Sequence, residues 1–148
     1  MAKSREEQSV KYWTEFCIYL QQRGGLQCRL PSPIARKRHF IDFPMGTHIL
    51  RASQRVRPPM IAAAFILTGS DATTYFEALK EQQAEIHSKC GGSLSWYAEA
   101  VSEKRIAFLK WDVDVRDETD WSDQHEWIVS KLEKLNEVFR PRIEKLKS

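Results

Sequence analysis

The sequence predicts an α+β domain, an antiparallel sheet of about five strands packed with three helices in the order α-β-β-β-α-β-β-α. Three observations predict it. Apolar residues recur at helical spacing in three stretches, one near each end of the chain and one in the middle. Between them lie five short runs rich in β-branched, aromatic and small apolar residues, each bounded by proline, glycine or polar punctuation. At 148 residues and 42% hydrophobic the chain suits one core, so residues 1–148 read as a single domain without repeats or linkers.

The first helix is predicted over Arg5–Arg23. Ser4-Arg5-Glu6-Glu7 has the S-x-x-E form in which two side chains satisfy each other's orphan amides. Val10, Trp13, Phe16, Cys17 and Leu20 follow at helical spacing, and Gly24-Gly25 supplies the stop. The next stretch, "LQCRLPSPIARKR", carries two prolines and no helical period. It reads as a loop long enough to suggest a function. Three strands are then expected, His39 to Phe43, Thr47 to Gln54 and Met60 to Thr68. Pro44-Met45-Gly46 and Arg57-Pro58-Pro59 mark the turns. The third run is apolar on both alternating sets, which predicts a central strand covered on both sides. Its alanines suggest that something packs close to it.

A second helix is predicted across "ATTYFEALKEQQAEIHSKC", with Ser70 or Asp71 as cap, Ala72, Phe76, Leu79, Gln83 and Ile86 on one face, and Gly91-Gly92 as terminator. Leu94 to Ala100 and Lys104 to Val113 form a further hairpin. The last helix runs from about Ser122 toward Leu146, with Ile128, Leu132, Leu135 and Phe139 as its buried stripe. Pro141 removes an amide and crowds the carbonyl four residues earlier, so a bend or an end near Arg140 is expected.

Several function classes have no support. The longest apolar run, Met60 to Leu67, is too short to span a bilayer, and no secretory signal is visible. Cys17, Cys28 and Cys90 are odd in number and widely spaced, which predicts ordinary thiols and a cytoplasmic setting. His39, His48, His87 and His125 form no ligand pair, and no G-x-S-x-G, P-loop or G-x-G-x-x-G occurs. No cofactor and no membrane partner are expected.

Charge is distributed in two opposed blocks. Residues 21–60 hold eight Lys/Arg against Asp42 alone, and residues 111–126 hold seven acids against Arg116. Within the acidic block, "WSDQHEW" sets His125 among carboxylates. Asp120, Ser122 and Asp123 are accounted for by helix initiation, where orphan amides and the helix dipole favour oxygen and negative charge. Asp112 and Asp114 share a strand face and would suit a hard cation. The calcium-loop pattern fails, however, because Arg116 and Asp117 occupy its next positions. The basic block is the better candidate. Arg51 and Arg55 alternate on one strand face, with Arg57 beyond, and Arg36, Lys37 and Arg38 sit on the loop exit. Arginine's planar fork suits phosphate. Against this reading, Trp13, Trp96, Trp111 and Trp127 all occupy positions that read as core, and the arginines have the acids of residues 112–126 as possible internal partners.

"KYWTEF", "YFEALKEQQAEI", "RIAF" and the final Trp121–Ile143 stretch with "QHEW", "KLEKL" and "VFRPRI" resemble the prokaryotic domain-of-unknown-function family 4268 over nearly the whole chain. Members of that family are often appended behind nuclease-like or DNA-modification-associated segments. The resemblance implies an accessory or recognition module. With no such segment visible, a stand-alone copy is expected, and no catalytic residue carries over. The leading expectation is a non-catalytic module that binds nucleic acid or an acidic protein through Arg36, Lys37, Arg38, Arg51, Arg55 and Arg57. The alternatives are a metal-dependent phosphodiesterase or other hydrolase using Asp112, Asp114 and His125, and a homo-oligomeric interaction domain.

Overall fold

Five antiparallel strands form one sheet in the spatial order β1-β2-β3-β5-β4, in a computed structural model that describes residues 5–26, 38–98 and 103–148. They are β1 (Phe40–Pro44), β2 (Ile49–Arg55), β3 (Met60–Thr68), β4 (Ser95–Tyr97) and β5 (Glu103–Trp111). The predicted loop (residues 27–37), Ser4 of the predicted capping box, Cys28, and the tip of the last hairpin lie outside the described residues. β3 is central, as its doubly apolar pattern predicts, and pairs with β2 on one side and β5 on the other.

Among the described residues four helices, not three, accompany the sheet: α1 (Arg5–Arg23), α2 (Ala72–Glu81), α3 (Gln83–Cys90) and α4 (Trp121–Lys147). The expected middle helix is broken at Gln82, whose backbone leaves the helical region at φ −98° and ψ 15°. Between Leu79 and Ile86 lies only polar sequence plus Ala84, which is exposed, so no apolar contact holds that turn straight. Ile86 and Cys90 are buried again beyond the break. Of the bend or end expected at Pro141, the end does not occur: α4 continues to Lys147. The fully buried Ile143 and an Arg142–Glu85 ion pair at 2.9 Å anchor the segment that follows the proline.

The stops at glycine occur where the sequence places them. Gly24 (φ +76°) and Gly91 (φ +77°) adopt the left-handed conformation that lets the chain leave α1 and α3. No helix among the described residues is long and apolar enough to cross a membrane.

Strand alternation divides the sheet into two different faces. Ile61, Ala63, Phe65 and Leu67 of β3 join Leu50, Ile106 and Phe108 in the main core, to which all four helices contribute. Here Phe65 stacks on Phe139 of α4 with ring centroids 4.5 Å apart. The opposite face carries Ala64, Ile66 and Ala107, flanked by Ile49, Tyr97 and Leu109, all of them strand residues. β3 is therefore covered on both sides, but not alike. Helices cover one side; among the described residues, side chains from neighbouring strands cover the other.

Candidate functional site

The sheet face opposite the described helices is built by register. Asp42 of β1 stands opposite Arg51 of β2, Arg51 opposite Ala64 of β3, and Ala64 opposite Ala107 of β5. Small residues thus form the floor, and long side chains from the flanking strands rise beside it. Arginine lies over an aromatic ring at three places on this face: Arg51 over Phe40 (4.5 Å from Cζ to ring centroid), Arg55 over Trp111 (5.3 Å) and Arg105 over Tyr97 (4.9 Å). Such stacking leaves the guanidinium edge directed outward to donate hydrogen bonds.

These arginines are not equivalent. Arg51 is held by the protein's own carboxylates, with Nε 2.6 Å from Asp42 Oδ1 and Nη1 2.9 Å from Glu103 Oε1. Its side chain is only 16% exposed. Burial alone would lower its pKa, but the hydrogen bonds and charge of Asp42, followed by Glu103, reverse that and raise it. Arg51 therefore acts as a clamp tying β1 and β5 across the face. Arg55 is different. It donates from Nε to the Pro58 carbonyl at 3.1 Å and forms no ion pair among the described residues.

Arg55 and Trp111 both stand opposite Met60, so they flank it in one row across the end of the sheet. Trp111 is 51% exposed, which corrects the reading of its position as core. Its strand face was rightly deduced, but no described helix lies over that face. The two side chains border a groove of about 300 Å³ floored by Ala62, Ala64 and Ala107. Beside it opens a second cavity of about 490 Å³, lined by Arg5, Arg38, Arg55 and Arg57.

A family model described as Domain of unknown function (DUF4268) matches residues 8–143. The chain belongs to this family. No curated protein and no solved structure matches it.

The DUF4268 fold brings Arg38, Arg55 and Arg57 of the candidate set to one cavity, and sets Arg51 apart. Arg36 and Lys37 lie outside the described residues. Arg5, Arg105, Phe40, Tyr97 and Trp111 were missed as site residues. Arg5 had no local signal, because it reaches the cavity from α1. Asp42 could have been found as the partner of Arg51, since the hairpin turn at Pro44-Met45-Gly46 sets that register.

The acidic block does not pair with the basic block among the described residues. Glu118 reaches Lys11 of α1 instead, and Asp114, Asp117 and Asp120 shape the chain locally. Asp114 accepts from the Arg116 amide, which with the Arg116 side chain lowers its pKa. Asp117 accepts from the Thr119 amide, and Asp120 accepts from Gln124 Nε2 at 2.9 Å. Asp112 adopts φ +61°, a conformation aspartate tolerates. Its amide donates to Pro59 O.

His125 lies elsewhere, 2% exposed, with ring centroids 4.6 Å from Tyr12, 5.4 Å from Phe16 and 6.2 Å from Trp121. Burial lowers its pKa to about 4. The hydrolase reading needs Asp112, Asp114 and His125 to converge, yet the Asp114 side chain is solvent-exposed while the imidazole is enclosed by aromatic rings. Among the described residues no group of three His, Cys, Asp or Glu side chains could hold a metal ion.

Proposed function

We propose that this chain is a non-catalytic recognition module that binds single-stranded nucleic acid across the sheet face opposite the described helices. One observation carries the reading: a shallow alanine floor bordered by arginine–aromatic pairs, one of them with the half-exposed ring of Trp111. Bases of any sequence present a π-face to such a ring, and a guanidinium beside it is suited to the phosphate that follows. An acidic protein would use the arginines but has no need of the exposed indole. Arg55, Arg57, Arg38 and Arg105 are the proposed phosphate contacts and Trp111 the stacking platform. Arg51 is assigned to the framework because Asp42 and Glu103 occupy it.

Fluorescence anisotropy with a labelled single strand and a duplex of the same sequence tests this. The single strand is expected to bind more tightly than the duplex and to weaken steeply as salt rises, through counterion release. Arg55→Ala/Trp111→Ala is expected to weaken binding by roughly 30-fold or more, given about 1–3 kcal/mol per stacked base. Arg51→Ala is expected to lower the melting temperature first and to affect binding less. Absence of binding at low salt, or equal affinity for the duplex, sinks the proposal, as does stronger competition by polyglutamate than by the strand. A second copy of the chain is the rival occupant of this face. Sedimentation in the same buffers is expected to give one 17.3 kDa chain, and a dimer that Trp111→Ala dissociates would assign the face to self-association instead.

A further inference from the structure

We propose that the cavity bounded by Arg5, Arg38, Arg55 and Arg57 holds a terminal phosphate monoester of the bound strand, with the adjoining base lying in the groove against Trp111. This rests on the single-strand reading above and adds to it a preference for a phosphorylated end.

The first argument is charge. Arg5 comes from the start of α1, Arg38 from the entry to β1, Arg55 from the end of β2 and Arg57 from the turn beyond it, and among the described residues no Asp or Glu lines the cavity. Guanidinium cannot relieve crowding by losing its proton, so four around one volume repel unless an anion joins them. Several arginines elsewhere are answered by the fold's own carboxylates: Arg23 by Glu133, Arg51 by Asp42 and Glu103, Arg142 by Glu85. Among the described residues no carboxylate answers these four. An internal phosphodiester supplies one negative charge, whereas a monoester supplies about 1.5–2 at neutral pH. The terminal group is the better match.

The second argument is the lining. The cavity includes Ser9 and Gln54, two polar side chains buried to 7% and 5% exposure, joined by a 3.1 Å bond from Gln54 Nε2 to Ser9 Oγ. Polar groups buried at the base of an arginine-lined opening suit a solvated anionic headgroup and would be wasted on an apolar one. Its volume of about 490 Å³ falls within the range of about 300–1,000 Å³ typical of small-molecule sites, so there is room for more than a bare ion.

Continuity is the third argument. His39, Gln54 and Arg55 line both the cavity and the groove, so a chain leaving the cavity passes Arg55 and meets the indole 5.3 Å from its guanidinium carbon. A phosphate pocket opening onto an aromatic slot has the layout of one nucleotide at the end of a strand.

The test uses strands of about ten nucleotides, within the usual range of single-strand sites. One sequence is prepared with a 5′-phosphate, with a 3′-phosphate, and with hydroxyls at both ends. Each is titrated into wild type and into Arg38→Ala/Arg57→Ala, with circular dichroism to confirm that the variant is folded. One phosphorylated form is expected to bind at least about tenfold more tightly than the hydroxyl form, a difference of the size of one charge-assisted contact. The variant is expected to bring that ratio close to one. Equal binding of all three strands by wild type overturns the inference and leaves the single-strand reading standing, as does a ratio that survives in the variant. Failure of every strand to bind sinks the underlying reading as well. A free nucleoside monophosphate that binds as tightly as the phosphorylated strand would assign the cavity to a mononucleotide and overturn the strand-end assignment.

Discussion

Phe65→Ala is expected to destabilise the protein by about 3–5 kcal/mol, the usual range for removing a buried aromatic ring. Phe65 is 0% exposed at the centre of the middle strand. It stacks on Phe139 at an interplanar angle of 17° and meets the His48 ring at 4.9 Å. Truncation leaves a void between β3 and α4 that neither rigid neighbour can fill, and the lost contacts add to the lost transfer energy. Leu109→Ala on the opposite face provides the contrast. Leu109 is only half-buried and no described helix lies over it, so about 1 kcal/mol or less is expected. Urea denaturation of both variants measures the difference. Equal losses would mean that the two faces are covered alike, against the architecture above.

That asymmetry marks the limit of what periodicity reveals. A period of two states which residues share a face, and it sorted Ile106 and Phe108 from Ala107, Leu109 and Trp111 correctly. It does not state what covers a face. On β3 both sets are apolar, so both faces looked alike, whereas among the described residues Ala64 and Ile66 pack against cross-strand neighbours and not against a helix. Trp111 was misjudged for the same reason. The helix break at Gln82 was equally hidden, because Lys80-Glu81-Gln82-Gln83 are all adequate helix formers and Phe76, Leu79 and Ile86 keep one stripe through it. At Pro141 the local rule allowed a bend or an end, and with Ile143 buried beyond it the helix does not end.

The site was legible as a set of charges but not as a geometry. Clustering drew attention to Arg38, Arg55 and Arg57, which converge on one cavity. The same clustering gave Arg51 equal standing, although the hairpin register opposes it to Asp42 and the pair neutralise each other. Arg5 is remote in sequence and enters only through the packing of α1 against the sheet, fixed in part by Trp13 Nε1 donating to Arg38 O at 2.9 Å. Long-range convergence of that kind leaves no trace in local composition. The acidic stretch was the converse case. Short-range rules located a helix start there, but Asp120 at its N-cap bonds the Gln124 side chain and no helix amide.

His125 yields a pH dependence whose sign follows from its surroundings. Enclosed by Tyr12, Phe16 and Trp121, its imidazole titrates at about 4 instead of the usual 6.5, because burial disfavours the charged ring. The unfolded chain therefore takes up this proton at a higher pH than the folded one. The stabilisation is complete above pH 6.5, declines as pH falls, and is exhausted below about pH 4. A separation of that size corresponds to about 3 kcal/mol. His48, also lowered mainly by burial, adds to the loss in the same direction, while its hydrogen bond to Asn136 at 2.9 Å opposes it. Tyr12 does not interfere, since burial and then Asp120 push its phenol upward, away from this window. His125→Phe removes the titrating group, together with a buried Nε2 that has no hydrogen-bond partner among the described residues. The variant is expected to lose much less stability than wild type between pH 6.5 and pH 4, as read from urea midpoints along the series. Parallel profiles for the two proteins would show that the imidazole is not held neutral, and that the aromatic cage around it is open to water.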